Sequence, residues 1–410
     1  MGFFDERTAD VPENIDAIVE IDIKSEVDPG KVGLNAGDID EVWGKTVQFY
    51  RSGMHPAIVL CIRKQGQVIL HRSIGHARGN GPGDESVEKE LVHPQTPVCV
   101  FSASKSISAM LVHLLHEQGL LSIHDTVAKH IPEFGQNGKE KITIEMVLSH
   151  RSGVRSFPDD IMNEKIFDHD FLLKELCKQP LNRAYVDASA YHATTGGYIL
   201  AEIVKRASGK DMKQLLREHI TGPLGFDVMD YGSSNPGLVA KNYATGREAV
   251  FPVTNVVSYA IGGTFEKAVE LSDRPEFYRV ISPSANIVAT ADEMSQFFQL
   301  LLNGGELNGV RVFSRETVKR ATRETGNVLI DRSLLIPMRY SAGMMLGNRP
   351  FGMFGPDSYE SFGHLGLINI LCWADRKRQL SVALLNTGKP LFSGHLIDFA
   401  NLLSSINSRL

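Results

Sequence analysis

Phe101-Ser102-Ala103-Ser104-Lys105 stands where a strand-like stretch hands over to a helix. Upstream, Pro97-Val98-Cys99-Val100-Phe101 is a short apolar run. Downstream, Ile107, Met110, Leu111, Leu114 and Leu115 recur at the spacing of a buried helical stripe. Ser102 and Lys105 are three residues apart, so a helix here puts both side chains on one face. A hydroxyl at the head of that helix gains an amine one turn away and the positive end of the helix dipole. A serine can become nucleophilic in this way without a histidine: the amine takes or steadies its proton, and the dipole favours the anion. The competing reading of Ser102 is a helix N-cap, which serine favours for hydrogen-bonding reasons of its own. Ser104 and Ser106 do not have Lys105 at three- or four-residue spacing and are set aside. A lysine beside an apolar stripe must be paired or shifted in pKa, which favours a functional role for Lys105 over a solvated one.

Outward from this stretch the chain divides by pattern. Residues 1–37 are polar with little periodicity and read as an extension that wraps the body or is partly disordered. Ile39, Val42, Trp43, Val47 and Tyr50 predict a first helix ending near Gly53. Ala57–Ile62 and Gln67–Arg72, joined by Arg63-Lys64-Gln65-Gly66, predict a hairpin. Residues 120–284 are mostly helical pattern and polar loop, with Ile142–His150 and Gly196–Ser208 the clearest helices. Leu367–Ala374 and Gln379–Asn386 predict a second hairpin, and Phe392–Ile406 a last helix. An isolated hairpin is marginal in water, so hairpins near the two ends of the chain are expected to join in one antiparallel sheet. The expected organisation is an extension (1–37), an α/β domain with that sheet (38–119 and 285–410), and a mainly helical domain (120–284).

Composition excludes several classes. Apolar residues make up 42% of the 410 and charged residues 22%, an ordinary globular balance. A net charge of −5 gives no reason to expect a nucleic-acid partner. No stretch approaches the ~20 apolar residues of a membrane span, and the acidic first twenty residues do not resemble a secretory signal. Glu6 occupies the place where a myristoylation start needs Ser or Thr. Cys61, Cys99, Cys177 and Cys372 lie far apart, and they read as buried hydrophobes of a reducing compartment, so a cytoplasmic location is expected. His113, His116 and Glu117 share a helix whose apolar face is already spent on the core, so no metal site is expected. Neither a Gly-x-Ser-x-Gly elbow nor a phosphate loop in its strand-helix context is present. His150 reads as support for a loop.

Six motifs then fall in one order: Ser102-Ala103-Ser104-Lys105; Ile142-Thr143 through Leu148-Ser149-His150-Arg151-Ser152-Gly153; Tyr191-His192-Ala193; Gly222-Pro223-Leu224-Gly225; Pro283-Ser284-Ala285-Asn286; and Gly363-His364-Leu365-Gly366. From about Gly53 to Asn386 the chain resembles the serine β-lactamase-like, penicillin-recognising family, and within it the class C-like carboxylesterases called family VIII. The resemblance implies an α+β, β-lactamase/transpeptidase-like fold: an antiparallel sheet flanked by helices, beside a mainly helical lobe. It implies Ser102 as nucleophile, Lys105 as its partner and Tyr191 as proton shuttle, its phenol made acidic enough by positive charge from Lys105. It implies an oxyanion hole from the backbone N–H groups of Ser102 and Leu367, the latter on the edge strand after Gly366.

Two departures bear on substrate. Ala193 stands where the family usually has Asn, and His364-Leu365-Gly366 where β-lactamases and peptidases carry Lys-Thr-Gly. A histidine is mostly neutral at pH 7 and offers a substrate carboxylate little, so His364, Leu365 and Gly366 are expected to contact an uncharged substrate. Phe251, Tyr259, Tyr340, Tyr359 and Phe362 are candidate acyl-pocket aromatics; Tyr185, Tyr198 and Tyr231 read as core. The expectation is a serine carboxylesterase that needs no cofactor or metal and acts on small, short-acyl esters. Its rivals are a β-lactamase, D-amino-acid peptidase or acyltransferase on the same scaffold, or a non-catalytic ligand-binding member of the fold.

Overall fold

The computed structural model describes residues 6–154, 156–157, 161, 164–247, 264–391 and 393–410. The first hairpin, Ala57–Lys64 and Gln67–Arg78, turns through Gln65 and Gly66, both at positive φ (52° and 83°). That two-residue geometry matches the natural twist of antiparallel strands. The hairpin near the other end of the chain, Leu371–Asp375 and Leu380–Asn386, closes on it directly. Leu380–Asn386 runs antiparallel to Ala57–Lys64, from Leu380 opposite Lys64 to Asn386 opposite Ile58. The two hairpins thus form the centre of one sheet. Its order is Val19–Ile21, Gln67–Arg78, Ala57–Lys64, Leu380–Asn386, Leu371–Asp375, Ser361–Leu365, Met345–Leu346, Pro337–Tyr340 and Leu329–Ile330. The short strand Glu90–Leu91 also pairs with Gln67–Arg78.

Strand Leu380–Asn386 is buried at every position, because both faces of the sheet are covered. Successive side chains alternate between two cores. Ile58, Leu60, Ile62, Val382 and Leu384 pack with Phe49, Tyr50, Leu402 and Ile406, on the helices Ala36–Arg51 and His395–Arg409. Val59, Cys61, Ala383 and Leu385 pack on the other side, in one core with Ile107, Met110, Leu111, Phe297 and Phe298. Those residues belong to the helices Ser104–Glu117 and Ala291–Leu302. A Leu384→Ala change would cost about 2–5 kcal/mol, transfer and cavity terms together. The segment between the sheet's two halves carries the helices His169–Lys178, Thr195–Ser208 and Phe265–Ser272, together with shorter turns. A small sheet of Val98–Cys99, Ile287–Ala289 and Asp230–Tyr231 leads into Ser102.

Two local expectations are corrected. The N-terminal stretch does wrap the body, but it also supplies the edge strand Val19–Ile21, with Val19 opposite Ile74. Glu26 follows it and pairs bidentately with Arg72, both contacts at 2.9 Å. A three-residue strand is too short to carry a readable period. The run from Leu367, expected as strand, begins pairing only at Leu371. Ile368 and Asn369 take φ of 40° and 64°, and the Gly366 N–H donates to Ile370 O at 2.8 Å, closing a tight turn. An isoleucine in the left-handed region is rare, and nothing in an apolar pattern announces it.

Candidate active site

Ser102 sits in a turn held under strain. Phe101, the residue before it, takes φ +46°, and Phe101–Ala103 form one 3-10 turn running into the helix Ser104–Glu117. A non-glycine residue there costs about 1–3 kcal/mol and persists only when its surroundings over-determine it. Here Val100 N–H donates to Ile287 O (2.9 Å), Ala103 N–H to Val100 O (3.1 Å), and Ile287 N–H to Ser104 Oγ (3.0 Å). Ser104 therefore ties strand to helix, as its misfit spacing to Lys105 suggested it would not be the nucleophile. Gly366 lets the end of strand Ser361–Leu365 approach this turn: a Cβ there would meet Val100 O at 2.6 Å.

Lys105 Nζ lies 3.0 Å from Ser102 Oγ, 2.7 Å from Ala193 O and 3.1 Å from Ser284 O. Burial, with nothing to offset it, holds the amine well below the ordinary lysine range. A neutral amine has two N–H groups and one lone pair. The two carbonyls accept N–H groups, and when the amine is neutral its lone pair is left for the Ser102 O–H. Both carbonyls are fixed locally. Ala193 precedes the helix Thr195–Ser208, whose Gly197 passes so near Ser284 that a Cβ would meet Ser284 Oγ at 2.2 Å. The Asn286 side chain clasps the Ser284 loop, accepting from Ser282 N–H (2.9 Å) and donating to Phe277 O (2.8 Å) and Val280 O (2.7 Å).

Tyr191 joins the pair. Lys105 Nζ is 5.0 Å from its ring centroid. Its hydroxyl has no hydrogen-bond partner among the described residues, although Ser102 is near enough to oppose part of the burial that pushes the phenol well above its usual range. The expectation that Lys105 would make this phenol acidic is therefore corrected. Burial shifts the amine toward its neutral form and the phenol upward, so the resting phenol is protonated and poised to donate.

The residues behind Tyr191 were not singled out as site residues from sequence. Asp331, buried, accepts from Tyr191 N–H (3.2 Å), Ser189 Oγ (2.8 Å), Tyr340 OH (3.0 Å) and the Ser333 and Leu334 N–H groups (2.9 Å each). His150, at φ 58°, accepts from His192 N–H on Nδ1 (3.1 Å), and its ring stands 4.7 Å from that of Tyr191. Burial holds the His150 imidazole well below its ordinary range and brings His192 down to about 4. The only sequence signal for Asp331 was a lone acid inside an apolar run, Leu329-Ile330-Asp331.

The pocket beside Ser102 is a small cavity of about 90 Å³. Phe101, Ile166, Phe167, Ala193, Leu271, Phe277, Ala285 and Leu367 are among its walls, and among the described residues no charged side chain lines it. Ser102 and Leu367 face the same cavity. Among the described residues neither backbone N–H donates to another group. Leu367 does this from the turn rather than from a strand. His364, Leu365 and Gly366, expected at the substrate, are not among the lining residues. His364 is 1% exposed, with Nδ1 2.7 Å from Leu365 O and its ring 5.9 Å from Tyr191. Burial takes its imidazole down to about 3, so it is neutral.

The aromatics expected in the pocket are elsewhere. Tyr340 and Phe362 are core, Tyr359 lies exposed 3.7 Å from the Arg339 guanidinium, and Phe251 and Tyr259 fall outside the described residues. Tyr198 and Tyr231 are buried and hydrogen-bonded, to Ile166 O (3.0 Å) and Ser108 Oγ (2.6 Å). Tyr185, also expected in the core, is only half-buried, under the Arg332 guanidinium at 5.3 Å. His113 and His116 are engaged structurally, by Ala342 O (2.7 Å) and Ile123 N–H (3.0 Å). No group of three or more metal-ligating side chains occurs among the described residues.

The family model for beta-lactamases matches residues 46–404. The chain belongs to that family. Its architecture is accordingly the β-lactamase/transpeptidase-like one, and the protein is a serine hydrolase of that fold. It is 30% identical over 300 residues to the esterase/beta-lactamase LipL of Mycobacterium tuberculosis, covering 70% of this chain and 68% of LipL. A penicillin-binding protein homologue from Caulobacter crescentus superposes with a TM-score of 0.77 at 27% identity, over 92% of this chain and 99% of the other. A family VIII carboxylesterase superposes with a TM-score of 0.73 at 21% identity, over 91% and 98%. Among the described residues of this beta-lactamase-family member, no helix is long and apolar enough to cross a membrane.

Proposed function

We propose that the protein is a serine carboxylesterase that hydrolyses small, uncharged esters through an acyl-enzyme on Ser102. The observation that carries this reading is the pocket itself: mostly apolar walls, a Lys105 amine that burial shifts toward neutrality, a neutral His364 and, among the described residues, no charged side chain in the lining to receive a substrate carboxylate. The Lys105 lone pair takes the Ser102 proton as Oγ attacks the ester carbonyl. The carbonyl oxygen becomes an oxyanion held by the N–H groups of Ser102 and Leu367; losing one such donor typically costs 10²–10³ in rate. As the tetrahedral adduct collapses, the Tyr191 phenol gives its proton to the departing alkoxide and regains one from the Lys105 ammonium. Water then enters and attacks the acyl carbonyl, giving a proton to Lys105; as the second adduct collapses, Lys105 returns that proton to the departing Ser102 Oγ and the carboxylic acid leaves, restoring the resting state.

Assay of p-nitrophenyl butyrate beside nitrocefin and a D-alanyl-D-alanine peptide tests the substrate class. Ester turnover should exceed both others by at least 100-fold in kcat/KM; dominant nitrocefin or peptide turnover would reverse the reading. Labelling with a fluorophosphonate should place the adduct on Ser102, and an unlabelled serine would leave a ligand-binding protein. The four cysteines, all free and buried, support a reducing, cytoplasmic setting, which cell fractionation checks.

A further inference from the structure

We propose that Phe167 is the partition that limits acyl-chain length, and that a longer chain's distal end has a ready-made compartment behind it. This rests on the ester reading above. The cavity at Ser102 holds about 90 Å³, room for a few carbon atoms. A second cavity of about 670 Å³ lies next to it, with Ala201, Met212, Val280 and Ile281 in its wall and a charged rim that includes Asp168 and Lys205. The two cavities have two wall residues in common, Phe167 and Tyr198.

These two differ in how firmly they are held. Tyr198 is 4% exposed, its hydroxyl is bonded to Ile166 O, and its ring meets Phe157 at 6.0 Å and His169 at 5.8 Å. Phe167 is only half-buried and ends a 3-10 turn, Glu164–Phe167, just before the capping residue Asp168. Its ring is the part of the wall that can be removed without unseating a buried hydroxyl. With it in place, an acyl group bound to Ser102 meets the ring after a few carbons. Without it, the chain runs from the apolar pocket toward the Ala201, Met212, Val280 and Ile281 wall of the larger cavity, and each further methylene buried there gains roughly fourfold.

The test is kcat/KM on p-nitrophenyl acetate, butyrate, octanoate and laurate for wild type, Phe167→Ala, Phe167→Leu and the double variant Phe167→Ala/Ala201→Phe. Wild type should peak at acetate or butyrate. Phe167→Ala should raise the octanoate-to-butyrate ratio at least tenfold, Phe167→Leu by less, and refilling the cleft from Ala201 should return the ratio to within threefold of wild type. Because Phe167→Leu keeps most of the wall's packing, it reads the effect even where Phe167→Ala does not fold. An unchanged ratio in the folded variants, or a wild type already fastest on octanoate, overturns the partition while leaving the esterase reading intact. A wild type that turns over none of the four esters fails the esterase reading instead.

Discussion

Two lysines flank the strained turn at Phe101, and both lack an ion-pair partner among the described residues. Lys105 presents its amine to the Ser102 hydroxyl and two carbonyls. Lys389, fully buried, donates to Asn386 O (2.6 Å) and Asn386 Oδ1 (3.2 Å) and lies 5.1 Å from the Phe101 ring centroid. Burial depresses both, Lys389 to about 7. A shifted pKa alone is therefore no mark of chemistry in this fold. Lys105 is hydrogen-bonded to a hydroxyl whose proton it can accept, whereas Lys389, among the described residues, is hydrogen-bonded to the two oxygens of Asn386, with the Cys99 thiol and the Asp273 carboxyl acting on it only at longer range. The low dielectric is common to both; the hydrogen-bonded hydroxyl is not.

Substitution can break this contrast. Ser102→Ala and Lys105→Met should each reduce ester kcat/KM by about 10⁴-fold or more, with little loss of fold. Lys389→Met should stay within about fivefold of wild type in kcat/KM; equal losses at the two lysines would abolish the distinction. Tyr191→Phe should cost about 10²–10⁴-fold in kcat, the range for a positioned proton donor. It should leave the acid limb of the pH profile in place, because that limb belongs to Lys105: activity falls as pH drops through the depressed pKa and the lone pair is lost. Asp331→Ala, which releases the Tyr191 backbone, should cost up to about 10²-fold in kcat, and adding exogenous nucleophile should not restore it.

The smallest effect is on stability. His192 and His364, depressed to about 4 and 3, are neutral when folded but titrate near 6.5 when unfolded. Below that value the unfolded chain binds protons that the native state refuses, so stability falls with pH. The loss should be about 2 kcal/mol per histidine between pH 7 and 5. Urea melts of wild type and His192→Gln read it: the variant should lose less on acidification, and an identical slope would remove His192 from the account.

What was legible in the sequence had a period or a spacing. The hairpin at Gln65-Gly66, the nucleophile helix and the Ser102–Lys105 juxtaposition all follow from neighbours within one turn. The meeting of Tyr191 with that pair was reached through resemblance, because nothing local links residues so far apart. The failures are cases where backbone geometry overrode pattern. Leu367 looks like the start of a strand, yet Ile368 and Asn369 at positive φ make it the start of a turn. His364 looks like a substrate contact, yet it is buried beside Tyr191 and is not among the residues that line the Ser102 cavity. Phe167 and Asp331 lie in short irregular segments, where type and position say little until the packing is known.

The pairing of residues 57–64 with 380–386 has a consequence for biosynthesis. A ribosome releases the catalytic helix long before the strand that completes the sheet beneath it. Until residue 386 has left the exit tunnel, the serine stands on half a scaffold, with Leu367 still unsynthesised or unanchored. Hydrolytic competence therefore arrives all at once, when that strand emerges and pairs, and a nascent chain stalled short of it would carry its nucleophile without the means to use it.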